Sequence, residues 1–364
     1  LNNRQTELDL SGWRFSDGID FTFPTGTTIA AGAYLVLAED SSAFEQKYGK
    51  TPAGEYIGKL SNGGERITIR DASGEQADEV DFGVGFPWPT SSNGEGPSMQ
   101  LLNPGLDNDL GGSWRSADPS PGVRNSVFSE KPPPQIRQVR HKPEQPLSGE
   151  PVTVKARVTG NVPVSEVILS YQLVEPGDYI AIDDARYVSR WISLPMRDDG
   201  VAGDVDAGDS TYTIVLPGEL SVHRQLVRYR IMAKDDGGAT VVTPFQDDPQ
   251  PNFAFFAYDG IPEWKASARP GAASVTYSSE TLSTLPVYHL ITTRKSHEES
   301  QHIPSSSAGS YRGSDYQWKG TLVYDGKVYD HIRYRARGGV WRYAMGKNMW
   351  KFDFNRGHGF QARD

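Results

Sequence analysis

Basic and aromatic residues interleave densely near the end of the 364-residue chain, in the run RYRARGGVWRYAMGKNMWKFDFN from Arg333 to Asn355. Successive side chains of an extended strand leave opposite faces. Arg333, Arg335 and Arg337 would therefore project from one side, with Ile332, Tyr334 and Ala336 on the other. The next run repeats the pattern, setting Lys347, Met349, Lys351 and Asp353 against Asn348, Trp350, Phe352 and Phe354. Two such strands in one sheet, aromatic sides together, crowd three arginines and two lysines onto one face. Like charges that close repel by roughly tenths of a kcal/mol per pair unless something anionic sits among them. Protein carboxylates could do this, as could a phosphate held by charge-assisted, bidentate hydrogen bonds. Gly338, Gly339 and Gly346 would let the backbone approach such a ligand. A solvated strand face that discourages edge-to-edge pairing has the same pattern. Spacing alone leaves both readings open.

A second group of residues could hold a metal. The run MRDDGVAGDVDAGDSTYT carries Asp198, Asp199, Asp204, Asp206 and Asp209, separated by glycines. Carboxylates in such a loop can coordinate calcium, a hard cation that takes six to eight oxygens. The loop is not an EF-hand, because the twelfth position counted from Asp204 is Val215 rather than glutamate. Asp and Gly also make tight turns between strands without any metal, so the calcium set Asp198, Asp204, Asp206 and Asp209 stands beside a plain turn. His297, His302 and the pair Glu298–Glu299 lie in a polar stretch that reads as a solvated loop. Trp88 and Trp114 raise the thought of a polysaccharide platform, against the plainer reading that they pack on proline-rich loops such as FPWP.

The net charge of −9 argues against a general nucleic-acid binder, which needs a basic surface. From Leu285 onward there are 13 Lys and Arg against 7 Asp and Glu, a balance of +6, so residues 1–284 carry −15. Such asymmetry suggests that the C-terminal part handles an anion. The chain has no cysteine, which removes disulfides and thiolate metal sites. Its longest apolar run, IAAGAYLVLA, is far shorter than the roughly 20 residues that span a bilayer, so no transmembrane segment is expected.

The elements that must position these residues are mainly β. With 38 glycines and 25 prolines, the chain reads as many turns between short strands. Phe21 and Phe23 share one side of a strand, as do Ile67 and Ile69, and DASG turns toward a return strand with Val80 and Phe82 inward. Ser42 and Glu45 form a capping box for a short helix over 42–48, with Gly49 as its stop. Alternation at Val152, Val154, Ala156 and Val158, at Tyr212, Ile214 and Leu216, and at Val227, Tyr229, Ile231 and Ala233 predicts a second β-sandwich without a convincing helix. Asp325-Gly326 between two alternating runs predicts a hairpin. The expected organisation is a β-sandwich over 1–126, a proline-rich linker at 127–135, a second sandwich over 136–258, a linker at 259–284, and an incomplete antiparallel sheet over 285–364.

Several words in the sequence resemble known families. LDLSGWRFSDG, FTFPTGTTIAAGAYLVLAED, SNGGERITIRDASG and DPSPGVRN resemble a lamin tail domain of the kind found in bacterial extracellular proteins. That resemblance implies an immunoglobulin-like fold used as an adhesive or spacer module, with no catalytic residues. The second sandwich is similar to fibronectin-type or immunoglobulin-like spacers. YHLITT followed by GTLVYDGKVYDHIRYRARGGVWRYAMGKNMWKFDFN resembles the opening of a CotH-type domain, the atypical protein kinases first associated with spore coats. This implies a kinase-like N-lobe sheet whose Arg335, Arg337, Lys347 and Lys351 hold the phosphates of ATP, with Mg as the accompanying ion. Gly339, Val340 and Trp341 depart from the small hydroxyl residues that the family places after its arginine-glycine pair. Kinase chemistry also needs acids on a later lobe. The expectation is a fragment, not catalytic alone, of a bacterial extracellular or cell-surface protein acting on a protein substrate or a surface or matrix partner. A non-catalytic adhesive or structural role is the alternative.

Overall fold

A computed structural model describes residues 1–267, 271–301, 316–337 and 349–361. The chain is mainly β, with several antiparallel sheets, and it divides into two compact units. No described helix is long and apolar enough to cross a membrane.

The first unit comprises residues 1–137 with two short later segments, 159–163 and 234–249. Strands β1 (Arg14–Asp17) and β2 (Ile19–Thr22) precede helix α1 (Ser41–Tyr48), and β3 (Ile57–Gly58), β4 (Glu65–Arg70) and β5 (Gln76–Phe82) follow it. They form one antiparallel sheet in the order β3-β2-β1-β4-β5. Its core gathers Leu10, Phe23 and Ile29, with Trp13, Phe15, Phe21 and Ile69 packed around them. Phe21 and Phe23 meet edge to face at 5.0 Å, an arrangement their ring quadrupoles favour. The DASG turn forms as expected: the Asp71 carboxylate accepts from Ser73 N at 2.9 Å and Glu75 N at 3.0 Å. The helix ends at Gly49, which takes φ 62. Its start differs from the capping-box expectation, because Asp40 rather than Ser42 caps it, accepting from Ala43 N at 2.8 Å. A carboxylate just ahead of the first turn meets the orphan amides and the positive end of the helix dipole together.

The second unit holds most of 138–361. Strands β8 (Gln135–Lys142), β9 (Val152–Thr159) and β12 (Thr211–Leu216) form a three-stranded sheet, where β6 (Ser98–Leu101) and β7 (Trp114–Ala117) are a separate pair in the first unit. β11 (Ile192–Pro195), β10 (Val164–Val174), β13 (Leu226–Asp235) and the strand Thr240–Thr243 form a second sheet in that order, β14 (Phe253–Phe256) also pairs with β13, and the short helix α2 (Ala185–Ser189) lies between β10 and β11 in the chain. Val152, Val154 and Ala156 are fully buried and lie opposite Leu216, Ile214 and Tyr212 in register, so both inward sets share one face. Stretch 259–284 contains an antiparallel pair, Trp264–Ser267 with Ser274–Tyr277, and a single helical turn at Ser279–Ser283.

The same unit ends in a four-stranded antiparallel meander: β15 (Tyr288–Ile291), β16 (Trp318–Tyr324), β17 (Lys327–Arg337) and β18 (Met349–Asp353), with α3 (Arg294–Gln301) between β15 and β16. The hairpin falls at Asp325 (φ 52) and Gly326 (φ 75), two left-handed residues as a type I′ turn requires. Ile291, Val323 and Val328 of this meander pack with Val174, Ile180, Tyr187, Leu226 and Phe256 of the sandwich. Burying each such aliphatic or aromatic side chain stabilises by roughly 1.5–3 kcal/mol. Tyr329, Ile332 and Leu322 form a further cluster with Phe352, Phe354 and Phe360.

Candidate functional site

The basic face of the meander is set by an irregularity in β17. Pairing of β16 with β17 slips between Gly320 and Leu322, so that Asp330 and His331 together face the single residue Thr321 of the partner strand. His331 takes φ 54, a left-handed conformation uncommon outside glycine. A bulge of this kind re-aims side chains and resets the alternation beyond it. After it, Ile332, Tyr334 and Ala336 are buried, Arg333 and Arg337 are exposed, and Arg335 is half-buried.

Register with β18 confirms the shared face for the described residues. Arg335 lies directly opposite Lys351, Arg337 opposite Met349, and Arg333 opposite Asp353. Lys319 on β16 joins the same row, opposite Arg333. Carboxylates partly neutralise this row. Lys351 Nζ sits 3.1 Å from Asp353 Oδ1, and Lys319 Nζ sits 2.6 Å from Asp183 Oδ2. Lys347, together with Gly338, Gly339 and Gly346 and much of the polar stretch 298–316, lies outside the described residues.

The aspartate loop is organised around backbone donors. Asp198 accepts from Gly208 N at 2.8 Å, Asp209 N at 3.2 Å and Ser210 N at 3.0 Å. Buried Asp204 accepts from Gly200 N at 2.7 Å and from Thr213 Oγ1 at 3.2 Å, so the loop folds over β12 and buries Thr213 from its outer side. Asp209 accepts from Thr211 N at 2.7 Å, while Asp206 is exposed. Among the described residues, no three His, Cys, Asp or Glu side chains converge to hold a metal. Trp88 and Trp114 are half-buried against each other, 6.3 Å between ring centroids, and the Trp114 indole donates to Asn108 O at 2.8 Å.

A fully buried, heavily bonded polar group of this unit is one that strand alternation does not single out. Arg228, the third residue of β13, is fully buried. Its guanidinium makes a bidentate pair with the equally buried Asp330, at 2.7 Å (Nε) and 3.0 Å (Nη2), and Nη1 donates to Gln172 Oε1 at 3.0 Å and Ile180 O at 2.8 Å. Asp330 also accepts from Thr321 Oγ1 at 2.6 Å, Asn252 Nδ2 at 3.0 Å and His331 N at 2.8 Å. Burial alone would push its carboxyl up, but Arg228, His331 and these hydrogen bonds outweigh it and hold it below the usual carboxylate range. Burial pushes His331 down to about 3, so the ring is neutral. Tyr179 OH and Asn252 Oδ1 flank its two nitrogens at 3.0 and 2.8 Å. The available signal was an arginine interrupting an apolar strand, with an acid in the hairpin arm about a hundred residues later.

Comparison with known proteins bears on the first unit alone. Residues 1–83 match the Lamin Tail Domain family. The match ends with β5, short of the whole segment whose words resemble that family. No curated protein matches the chain.

Proposed function

We propose that the chain is part of a bacterial secreted or surface protein in which a lamin-tail β-sandwich and a second sandwich lead into a CotH-like kinase N-lobe sheet that binds the phosphates of ATP. The observation that carries this reading is the placement of Arg335 directly opposite Lys351 on a face shared with Arg333 and Arg337. Guanidinium and ammonium groups in register suit the charge and geometry of a polyphosphate. In this reading Arg335 and Arg337 grip phosphate oxygens as planar forks, and Lys351, with Lys347, acts as a point charge on them. Bound nucleotide would bring the transferable phosphoryl group and its Mg²⁺. Asp353 would reorient as Lys351 turns from it to phosphate. The phosphoacceptor would be a protein, on the cell surface or in the surrounding matrix.

Titrating ATP into the chain and into Arg335→Gln and Lys351→Met variants tests the reading. Loss of one charge-assisted contact is expected to weaken binding by about tenfold or more. Affinity unchanged in both variants ends the phosphate role. A second reading is favoured by the ion pairs Lys351–Asp353 and Lys319–Asp183. There the face is neutralised from within and the chain is a non-catalytic adhesive or structural array, for which ATP gives no saturable signal at all.

A further inference from the structure

A different concentration of positive charge lies away from β17 and β18. A cavity of about 510 Å³ is lined by the end of β15, the start of α3 and Arg224, in the approach to β13. Arg224, Arg294, His289 and His297 line it against one carboxylate, Glu298. The nearby acids are committed elsewhere. Asp259 faces His223 at 3.6 Å and takes Ser148 at 2.6 Å; Glu299 takes Lys295 at 3.8 Å and Trp318 Nε1 at 3.0 Å; Glu175 accepts from Gln225. Among the described residues, neither the Arg224 nor the Arg294 guanidinium has a carboxylate partner. In a protein of net charge −9, two such arginines on one concavity are unexpected.

Local structure fixes the Arg224 backbone and the His289 ring. Arg224 takes φ 66, a left-handed conformation rare for a long side chain, and its N–H donates to Ala257 O at 2.8 Å. His289 is wedged between Phe256 at 4.8 Å and Tyr258 at 4.3 Å. Burial first, then Arg224 and His223, push its imidazole down to about 4. A neutral ring there offers a hydrogen bond without adding to the local repulsion. Exposed Tyr288 supplies an aromatic wall, with buried Phe256 behind the His289 ring. The volume lies in the range of small-molecule sites, well beyond a bare inorganic anion.

We propose that this cavity binds an oxyanion ester, a phosphate or sulfate group at Arg224 and Arg294 with the organic body lying along Tyr288. Planar guanidiniums take tetrahedral oxyanions through paired hydrogen bonds, and the aromatic wall distinguishes an ester from the free anion.

Phenyl phosphate, phenyl sulfate, inorganic phosphate and phenol, each titrated into the full chain by calorimetry, provide the test. Phenyl phosphate is expected to bind tighter than inorganic phosphate, and phenol not measurably. Arg224→Asn, chosen because asparagine tolerates the left-handed backbone, and Arg294→Gln should each weaken phenyl phosphate by about tenfold. Both residues are exposed, so the thermal midpoint should not move. Arg335→Gln should leave this binding intact, which separates it from the nucleotide reading. Phenyl sulfate bound as tightly as phenyl phosphate assigns the sulfate ester as an equal ligand; weaker binding assigns the phosphate. Phenol bound as well as the esters, or undiminished binding in the Arg224→Asn/Arg294→Gln double variant, overturns the proposal.

Discussion

Replacing Arg228 by methionine strips one fully buried charge from a pair and leaves the other. Asp330 would keep only the donors from Thr321, Asn252 and its neighbour's N–H, while Gln172 Oε1 and Ile180 O each lose one. An uncompensated buried charge costs about 3–5 kcal/mol. Removing both charges, in Arg228→Met/Asp330→Leu, leaves neutral groups unpaired but no buried charge, and replacing a whole buried ion pair by apolar residues of similar size is often neutral or stabilising. The double variant should therefore be the more stable of the two, a coupling that additive surface contacts cannot produce. Hydrogen–deuterium exchange read on peptides covering 253–256 and 321–332 measures this without assuming that both units unfold together. Exchange in both peptides should accelerate by roughly a hundredfold to several thousandfold in the single variant and far less in the double. A single variant as protected as the double would refute the reasoning. So would acceleration at 253–256 with 321–332 unchanged, because the pair would then not join β13 and its neighbour β14 to β17.

The neutral, buried His331 predicts acid sensitivity. Its folded pKa of about 3 lies below the ordinary 6.5, so the unfolded chain binds the extra proton. Its contribution is full above pH 6.5 and drains away as pH falls toward 3, amounting to about 2 kcal/mol lost by pH 5. Urea midpoints of the wild type and His331→Asn between pH 7 and 5 should diverge in slope, the variant being flatter; parallel slopes would show that the ring titrates freely. In the aspartate loop, Asp204→Ala orphans Gly200 N and the Thr213 hydroxyl and should destabilise the unit by about 1–3 kcal/mol. Calcium chloride should leave the wild-type midpoint unmoved, because the Asp198, Asp204 and Asp209 oxygens already serve backbone and hydroxyl donors; a calcium-dependent rise absent from Asp204→Ala would support the metal reading.

Much of the architecture was legible in local pattern. Strand alternation at 152–158, the Asp325-Gly326 hairpin, the DASG turn and the arginine face of β17 all follow from period-2 spacing and turn chemistry. Helix α1 was placed to within a residue, while its cap went to Asp40, since a carboxylate two residues upstream of the capping-box serine can accept from the same first-turn amides. Thr213 shows the limit of the method. It sits on the outward side of β12 by alternation, yet it is buried, because the aspartate loop folds back over it.

Residue order alone settled which side of each ribbon is apolar, where the chain reverses, and that basic groups crowd the last strands. Those properties depend on neighbours one to four positions apart. Three-dimensional packing settled which charges are satisfied: Arg228 with Asp330 across 102 positions, and Lys319 with Asp183 across 136. It also settled the bulge at Asp330–His331, which determines the phase in which Arg333, Arg335 and Arg337 emerge. Coulombic and desolvation energies depend on distance and burial in the folded chain, and neither quantity is encoded in spacing along it.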